Sequence, residues 1–298
     1  MTADAPGTPD ADVTITLSLV RDLLADQHPD LAGLPLEIVG EGWDNVMVRA
    51  GDALALRLPR REIAEGLLKK EQRWLPQLAP HLPLPVPAPL RTGLPGRGYP
   101  FVWSVLPWID GEAADLAPPD PAEAPVLAAF LKALHQPAQT DAPANPVRDC
   151  PLSGKQADTE RRMGIVRRTT GAISPAVETA WSEGLAAPVD LARTWIAGDM
   201  HARNILVRGG RLAAIIDWGD MCAGDPATDL ASIWALFDDP AARAAAIKAY
   251  GMSAATLARA RGWAVFFGVI LLETGLHDHP RHAKMGADTL RRIGEDPS

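Results

Sequence analysis

The sequence predicts an α+β protein with two lobes, a small N-terminal lobe built on antiparallel strands and a larger, mainly helical C-terminal lobe. Three observations predict this class. Short apolar runs separated by glycine turns dominate up to residue 110, helical periodicity dominates after it, and one compact β segment at 194–217 interrupts the helices. The length of 298 residues is also about twice that of a typical domain.

The N-terminal lobe is expected over residues 14–110, after a flexible tail at 1–13. Apolar residues recur at helical spacing within 15–24 and predict a first short helix. Three strands separated by glycine turns are expected next, at 36–39, 46–48 and 53–58. The charged, leucine-rich segment 62–78 then predicts a helix, which completes the lobe except for its last strand.

Prolines are dense between residues 76 and 100, which excludes a long helix there. The apolar segment 101–109 then predicts a buried strand that links the two lobes. We place the boundary at residue 110, because the composition changes there from strand-rich to helix-rich, and we expect the C-terminal lobe to cover 111–298. Its helices are predicted at 126–134, through 155–186 and from 225 onward, with a loop at 137–153.

The charge balance and the cysteine count exclude several classes of protein. With 29 basic and 37 acidic residues the net charge is −8, which argues against a nucleic-acid partner and favours a cationic small molecule. Two cysteines make neither a disulfide framework nor a cysteine-rich zinc site. No basic, apolar leader is visible, and the most apolar run, 263–272, is shorter than the ~20 residues of a membrane span. We expect a soluble cytoplasmic protein, a monomer or weak dimer.

Three oxygen-bearing side chains are predicted to meet at one end of a hairpin in the β segment. Apolar runs at 205–207 and 212–216 flank a Gly-Gly turn, and folding them together brings Asp199, Asn204 and Asp217 to the same end. Such hard oxygen ligands suit Mg²⁺. Asp and Asn are also common turn residues, so each one taken singly has a simpler reading. The joint spacing, D-x-x-x-x-N followed by Asp-x-Gly, is that of a kinase catalytic loop and its metal-binding aspartate.

The sequences GDMHARN (198–204), IDWGD (216–220) and GDPATDLA (224–231) together resemble the aminoglycoside phosphotransferase family. That family has a bilobal protein-kinase-like fold and includes aminoglycoside and macrolide kinases. The resemblance implies that Asp199 is the catalytic base, that Asn204 and Asp217 bind Mg²⁺, and that Asp229 braces the catalytic loop from within. Ala197 is a departure, since many relatives have His there; we expect it to be tolerated.

A phosphate-binding site is expected in the N-terminal lobe. Gly40 and Gly42, with Asn45 in place of a third glycine, resemble a glycine-rich loop, although a glycine pair between strands is often only a turn. No G-x-x-x-x-G-K-[ST] motif occurs. Arg57 stands on the third strand where kinases have lysine, and its simpler reading is a solvated arginine at a strand end. We expect Glu71, rather than Glu62 or Glu65, to be its partner on the following helix.

The resemblance also implies where the nucleotide base lies. Leu106 would form the back of the pocket, and the Pro107 C=O and the Ile109 N–H would meet the edge of the base; the alternative is a simple buried strand. The acceptor site is less defined. It could be acidic, aromatic or neither, and the candidates are Asp220, Asp238, Asp239, Glu273 and Asp278 for acids and Trp263, Phe266 and Phe267 for aromatics. A zinc site at His277, His279 and His282 is conceivable, but a polar helix end is favoured.

These observations predict an ATP- and Mg²⁺-dependent phosphotransferase, with GTP as the alternative nucleotide. It would move the γ-phosphate to a hydroxyl of a small molecule, either an aminoglycoside- or macrolide-type antibiotic, in which case it would confer resistance, or a metabolite. Two alternatives stay open. One is a catalytically weak nucleotide-binding regulatory module, which the arginine at position 57 favours. The other is a metal-dependent hydrolase built on Asp199, His201, Asp217 and Asp220.

Overall fold

The computed structural model of the chain describes residues 10–296. Most of the tail expected at 1–13, namely residues 1–9, therefore lies outside the described residues. The predicted α+β class is confirmed, because an antiparallel sheet of five strands occupies the N-terminal part and helices dominate the remainder. The division at residue 110 stays a prediction.

The N-terminal part contains two helices and five strands. They are α1 (Leu17–Gln27), β1 (Leu36–Glu41), β2 (Asn45–Ala50), β3 (Leu54–Pro59), α2 (Glu62–Leu78), β4 (Arg91–Gly93) and β5 (Trp103–Pro107). The strands pair in the order β1-β2-β3-β5-β4, all antiparallel. Strand β4 was not predicted, because its three residues lie in the proline-rich segment and carry no apolar run; pairing with β5 makes them a strand.

The C-terminal part contains eight helices and five short strands among the described residues. They are β6 (Glu112–Ala113), α3 (Ala124–Leu134), α4 (Gln156–Thr170), α5 (Pro175–Ala186), β7 (Thr194–Ile196), β8 (Ile205–Arg208), β9 (Arg211–Ile215), β10 (Cys222–Gly224), α6 (Ala227–Leu230), α7 (Ser232–Leu236), α8 (Pro240–Tyr250), α9 (Ala254–Asp278) and α10 (Pro280–Glu295). Strands β6 and β10 are too short to show a period, and only their pairing with β8 and β7 defines them.

Two hydrophobic cores match the two parts of the chain. The smaller core packs α1 against the five-stranded sheet around Leu56 and Trp103. The larger one collects α3 to α10 around Trp218, Trp234 and Trp263. Helix α2 crosses between them, because Trp74 and the residue after it are buried in the larger core while the helix begins beside the sheet. Helix α2 thus connects the five-stranded sheet to the larger core.

Helix α9 is longer than its most apolar run indicates. By length and composition one stretch of it, Ala254–His277, could cross a membrane, but 67% of its most apolar window is buried inside the structure. Other helices of the C-terminal part surround it, α5 and α10 above all. The helices predicted from residue 225 onward include α9, and the apolar run 263–272 is only its central part, because small and polar residues extend the helix on both sides.

Candidate active site

The loop between β7 and β8 is shaped by a glycine and a buried aspartate. Gly198 has φ +84°, and a Cβ there would lie 2.8 Å from the Asp220 carbonyl oxygen, so only glycine fits. Asp229, which is fully buried, accepts hydrogen bonds from the backbone N–H groups of Ala197 (2.7 Å) and Gly198 (2.8 Å). These contacts are the bracing role that the resemblance implies, and they fix the backbone immediately before Asp199.

A histidine does support this brace, although it comes from another part of the chain. His135, at the C-terminal end of α3, places Nε2 3.3 Å from Asp229 Oδ2 and Nδ1 2.9 Å from the Tyr250 hydroxyl. Ala197 contributes only its N–H to the same carboxylate. The contact of His135 with Asp229 is a physical reason to expect that alanine at position 197 is tolerated.

The hairpin of β8 and β9 brings the metal-binding candidates together. Gly209 and Gly210 both have positive φ, 57° and 78°, as a two-residue hairpin turn requires. At the other end the Ile216 N–H donates to the Asn204 carbonyl oxygen at 2.8 Å, so the residues that enter and leave the hairpin are neighbours. Asp217 follows with φ 59°, a left-handed conformation that aspartate tolerates better than most residues.

Asn204 and Asp217 offer the oxygen atoms that a magnesium ion prefers. Asn204 Nδ2 donates to the Asp199 backbone oxygen at 3.0 Å, which leaves its side-chain oxygen for another partner. Asp217 has 51% of its side chain exposed to the cleft and gives only Oδ1 to a protein cation. The side chains that the structure describes, which do not include Asp278, form no cluster of three or more His, Cys, Asp or Glu able to hold a metal, so His277, His279 and His282 do not make a zinc site among them. Two oxygen ligands completed by phosphate and water fit Mg²⁺.

Arg57 is the centre of an ion-pair cluster that we call the Arg57 cluster, comprising Asn45, Arg57, Glu71 and Asp217, in which Arg57 and Glu71 are buried and Asp217 is half-exposed. The guanidinium donates from Nη1 to Glu71 Oε2 at 2.9 Å and from Nη2 to Asp217 Oδ1 at 3.0 Å. When the side-chain amide of Asn45 is oriented with its oxygen toward Arg57, that oxygen accepts a hydrogen bond from Arg57 Nε at 3.2 Å. Glu71 is therefore the carboxylate that meets Arg57, whereas Glu65 bonds to Lys69.

Burial and charge shift the pKa values in this cluster in different directions. Burial raises the pKa of Glu71 to about 7, against the opposing effect of Arg57. Burial disfavours the charged form of Arg57, but Glu71 and Asp217 outweigh it and raise its pKa. Burial likewise acts to raise the pKa of Asp217, but the Arg57 guanidinium dominates and lowers it, so Asp217 stays ionised and able to bind a cation.

The glycine-rich segment covers the cleft opposite the catalytic loop. The Gly42 N–H donates to the Asn45 carbonyl oxygen at 2.9 Å, which closes the turn between β1 and β2. Trp43, at its tip, has 57% of its surface exposed. Neither Gly40 nor Gly42 has positive φ, and a Cβ at Gly40 would meet nothing within 4 Å. The fold itself does not require these glycines, and their role as a phosphate cradle stays a prediction.

The linker strand presents backbone groups to the cleft. The Trp108 N–H donates to the Ala53 carbonyl oxygen at 2.8 Å, toward β3. Because neighbouring residues of a strand point their backbone groups in opposite directions, the Pro107 C=O at the end of β5 faces away from β3. Ile109 lies two residues beyond the strand, and the role of its N–H stays a prediction. Leu106 is buried behind them, and all three residues line the cleft, which has a volume of about 580 Å³.

Arg148 contacts the predicted base, and the sequence analysis missed it. Its Nη2 donates to Asp199 Oδ1 at 2.9 Å, its Nε donates to Asp220 Oδ2 at 2.9 Å, and the guanidinium lies 5.2 Å from the centre of the Phe267 ring. Asn145 positions it by accepting hydrogen bonds from the Val147 and Arg148 N–H groups. The available signal was an Asn-Pro turn at 145–146 immediately before a lone arginine.

The acids considered for an acceptor site do not form an acidic wall. Asp220 lines the cleft and is paired with Arg148. Glu273 pairs with Arg162, and Asp238 pairs with Arg291 and Arg292. Asp239 caps the start of α8, and the side chain of Asp278 lies outside the described residues. Of the three aromatic candidates, Trp263 and Phe266 are buried in the core, and Phe267 packs under Arg148.

Comparisons with known proteins give a family match and several structures with a similar fold. The model of the phosphotransferase enzyme family (APH) matches residues 35–263, which is well over half of the chain. No curated protein matches the sequence. Three solved structures illustrate the structural likeness. The GDP and kanamycin complex of APH(2")-IIia has a TM-score of 0.63 and 20% identity, over 92% of this chain and 98% of that one.

The macrolide 2'-phosphotransferase MphH from Brachybacterium faecium, an apoenzyme, has a TM-score of 0.59 and 23% identity, over 95% of this chain and 99% of that one. The streptomycin–ATP–APH(2")-IIa ternary complex has a TM-score of 0.58 and 19% identity, over 94% and 97% of the two chains. At these identities the likeness shows a shared fold over nearly the whole of each chain, and it agrees with the predicted protein-kinase-like class.

Proposed function

The chain belongs to the phosphotransferase enzyme family, and on that premise we propose that it transfers the γ-phosphate of ATP or GTP to a hydroxyl group of a small molecule with the help of Mg²⁺. One observation carries the proposal. Asp199, Asn204 and Asp217 line the same cleft as Arg57 and the glycine-rich segment, so a base, two oxygen ligands and a cation face one space. Phosphoryl transfer needs little more than such positioned groups.

Each residue has a distinct task in this mechanism. Asp199 accepts a hydrogen bond from the acceptor hydroxyl, orients it and takes its proton as the oxygen attacks phosphorus. Asn204 and Asp217 would hold Mg²⁺, which when bound neutralises charge on the β- and γ-phosphates. Arg148 holds the Asp199 carboxylate through Oδ1, so the other oxygen is presented to the acceptor in one orientation.

The small lobe supplies the nucleotide site. Arg57 connects Asp217 to the sheet and contributes positive charge at the phosphates. Asn45 accepts from the guanidinium and so helps to hold it in place. Gly40 and Gly42 allow the backbone to approach the phosphates closely. Leu106 with the exposed backbone groups of Pro107 and Ile109 would receive the base. The GDP complex of APH(2")-IIia and the ATP complex of APH(2")-IIa support binding of either nucleotide.

A nucleotide-binding module without catalysis is the second candidate, and one observation favours it. Arg57 already occupies Asp217 Oδ1, and Arg148 occupies Asp199 Oδ1. In such a module these ion pairs would be permanent and would keep both carboxylates from metal and acceptor. The metal-dependent hydrolase has less support, because the described residues hold no cluster of three metal-binding side chains.

A nucleotide-consumption assay tests the proposal. Purified protein, with Mg²⁺ and ATP or GTP, is offered hydroxyl acceptors that include aminoglycosides, macrolides and common metabolites, and products are identified by mass. We expect a mass increase of one phosphoryl group on at least one acceptor, and loss of this product with EDTA. Nucleotide binding by calorimetry without transfer to any acceptor would favour the module instead.

A further inference from the structure

The local charge around the predicted base differs from the charge of the whole chain. The net charge is −8, which by itself favours a cationic acceptor. In the cleft, however, Asp199 and Asp220 share the buried guanidinium of Arg148, at 2.9 and 2.8 Å from its Nη2. Because one arginine contacts an oxygen of each carboxylate, it partly neutralises both and leaves less negative charge for an ammonium group of an acceptor.

One guanidinium and three imidazoles gather next to the predicted base, on the side of the C-terminal helices. We call them the cationic cluster: His201, Arg203, His279 and His282. Arg203 Nη1 lies 2.6 Å from His282 Nε2, the rings of His279 and His282 stack at 3.9 Å, and His201 Nδ1 accepts from the Arg203 N–H at 3.2 Å. The cluster joins the catalytic loop to the turn between α9 and α10.

Arg203 lacks a matching negative charge. Among the side chains that the structure describes, which do not include Asp278, no carboxylate lies within 4.0 Å of its guanidinium, although the side chain is half-buried and lines the cleft. The nearby Asp115 is held by Arg281 in a bidentate pair at 2.7 and 2.8 Å. Burial above all, and then His279 and Arg203, lower the pKa of His282 to about 4, so its imidazole is neutral at pH 7 and can accept the Arg203 N–H.

Resting on the phosphotransferase function proposed above, we propose that the cationic cluster binds an oxyacid group of the acceptor, so that the substrate is an anionic hydroxyl compound and not a polycationic antibiotic. A carboxylate or a phosphate can accept hydrogen bonds from the Arg203 fork. Arg203 lies four residues after Asp199, in the turn Ala202–Asn204 that leads into β8, and both residues line the same cleft, so an anion on Arg203 shares that space with the reacting hydroxyl.

The position of the cluster separates it from the nucleotide phosphates. Arg57 and Asn45, which face the phosphates, belong to the five-stranded sheet, whereas Arg203 is turned toward His282 at the start of α10.

In the transfer step the acceptor oxygen forms a bond to the γ-phosphorus, the bond to the bridging β,γ-oxygen breaks, and the nucleoside diphosphate leaves with the electron pair. The hydroxyl proton passes to Asp199 while the acceptor anion stays on Arg203.

Matched acceptor pairs test the proposal in the full-length protein. Hydroxy acids are compared with their amides, sugar phosphates with the free sugars, and both sets with aminoglycosides. We expect kcat/KM to be at least about tenfold higher for the anionic member of a productive pair. Arg203→Gln should raise the acceptor KM by about 10- to 100-fold, the value of one charge-assisted hydrogen-bonded pair, and abolish the preference. The nucleotide KM should stay within about twofold.

Two further variants guard against misinterpretation. Arg203→Lys keeps the charge without the fork and should retain part of the preference, which a merely misfolded variant would not do. Arg208→Gln changes an exposed arginine at the far end of β8 and should alter neither KM. If Arg203→Gln raises the nucleotide KM instead, or if uncharged or polycationic acceptors react as well as anionic ones, the inference is overturned while phosphotransfer stands.

A binding measurement distinguishes failure of the inference from failure of the function. Inorganic sulfate is titrated calorimetrically into protein saturated with Mg²⁺ and a non-hydrolysable ATP analogue, which fills the nucleotide site. We expect wild-type protein and the Arg208→Gln variant to bind sulfate and Arg203→Gln to bind it at least about tenfold more weakly. Sulfate binding without transfer to any acceptor would refute the proposed function and keep the anion site; equal binding by all three proteins would refute the anion site.

Discussion

The two sides of the cleft are each organised around one buried arginine, yet the two arginines are held in different ways. Arg57, 8% exposed, lies on strand β3 and reaches Glu71 on α2 and Asp217 after β9. Arg148, whose side chain is 14% exposed, lies in a loop and is held by Asn145 and the ring of Phe267. One is positioned by regular secondary structure and the other by loop packing.

This difference has a functional consequence. Arg57 connects the sheet to Asp217 and so links the nucleotide side of the cleft to the predicted metal site. Arg148 connects Asp199 to Asp220 and so orients the predicted base toward the acceptor. Changes around Arg57 should therefore affect nucleotide binding and small-lobe stability, and changes around Arg148 should affect turnover. The following predictions test that separation, from the largest expected effect to the smallest.

Asp199→Asn should lower kcat by about 10²- to 10⁴-fold, because the amide cannot take the hydroxyl proton. The affinity for Mg²⁺-nucleotide should stay near that of the wild type, since Asp199 faces the acceptor. Steady-state turnover and calorimetric nucleotide binding measure the two quantities. A variant with wild-type kcat would show that Asp199 is not the base.

Asp217→Asn should weaken Mg²⁺-nucleotide binding by about 10- to 100-fold. Mutation of residues that only support a metal ligand already reduces metal affinity by about this factor. The variant also removes the negative partner of Arg57 Nη2. Asp220→Asn is the matched control, because Asp220 pairs with Arg148 and should leave nucleotide affinity unchanged. Equal losses in the two variants would contradict the separation of the two arginine clusters.

Glu71→Gln should change the pH dependence of stability. Burial raises the pKa of Glu71 from 4.5 to about 7, so the folded protein holds a proton that the unfolded chain releases between these values. The contribution of Glu71 to the free energy of unfolding is therefore present at low pH, falls as pH rises from 4.5 to 7 and is level above that. Between pH 5 and 7.5, wild type should lose about 2 kcal/mol relative to Glu71→Gln, measured by urea unfolding. A pH-independent difference would refute the raised pKa.

Arg148→Met should have the smallest effect, a fall in kcat of about tenfold with an unchanged nucleotide KM, because a less constrained Asp199 meets the acceptor less often in the productive geometry. Asp199 and Asp220 are partly exposed and can be hydrated once the arginine is removed. Arg57→Met is the comparison, and it should raise the nucleotide KM instead. If both variants changed kcat and the nucleotide KM alike, the groups around Arg148 and those around Arg57 would be acting as one unit.

Most of the fold could be predicted from the sequence because local patterns encode it. The alternation of β3 placed Arg57 on one face, and the apolar stripe of α2 identified Glu71 as the residue that faces it. Glycines at 209–210 identified the hairpin that brings Asn204 and Asp217 together. Strands β4, β6 and β10 could not be predicted, since two or three residues show no period and depend on a partner strand.

The sequence alone determined the two-lobed class, the hairpin and the identity of the oxygen-bearing residues, because periodicity, turn glycines and motif spacing are properties of neighbouring residues. Only the tertiary structure decided that Arg148 meets Asp199, that His135 supports Asp229 and that Arg203 meets His282 of α10. Those contacts join residues 51, 94 and 79 positions apart. Electrostatic energy depends on distance in space, so the charge of the acceptor site follows from packing and not from the net charge of the chain.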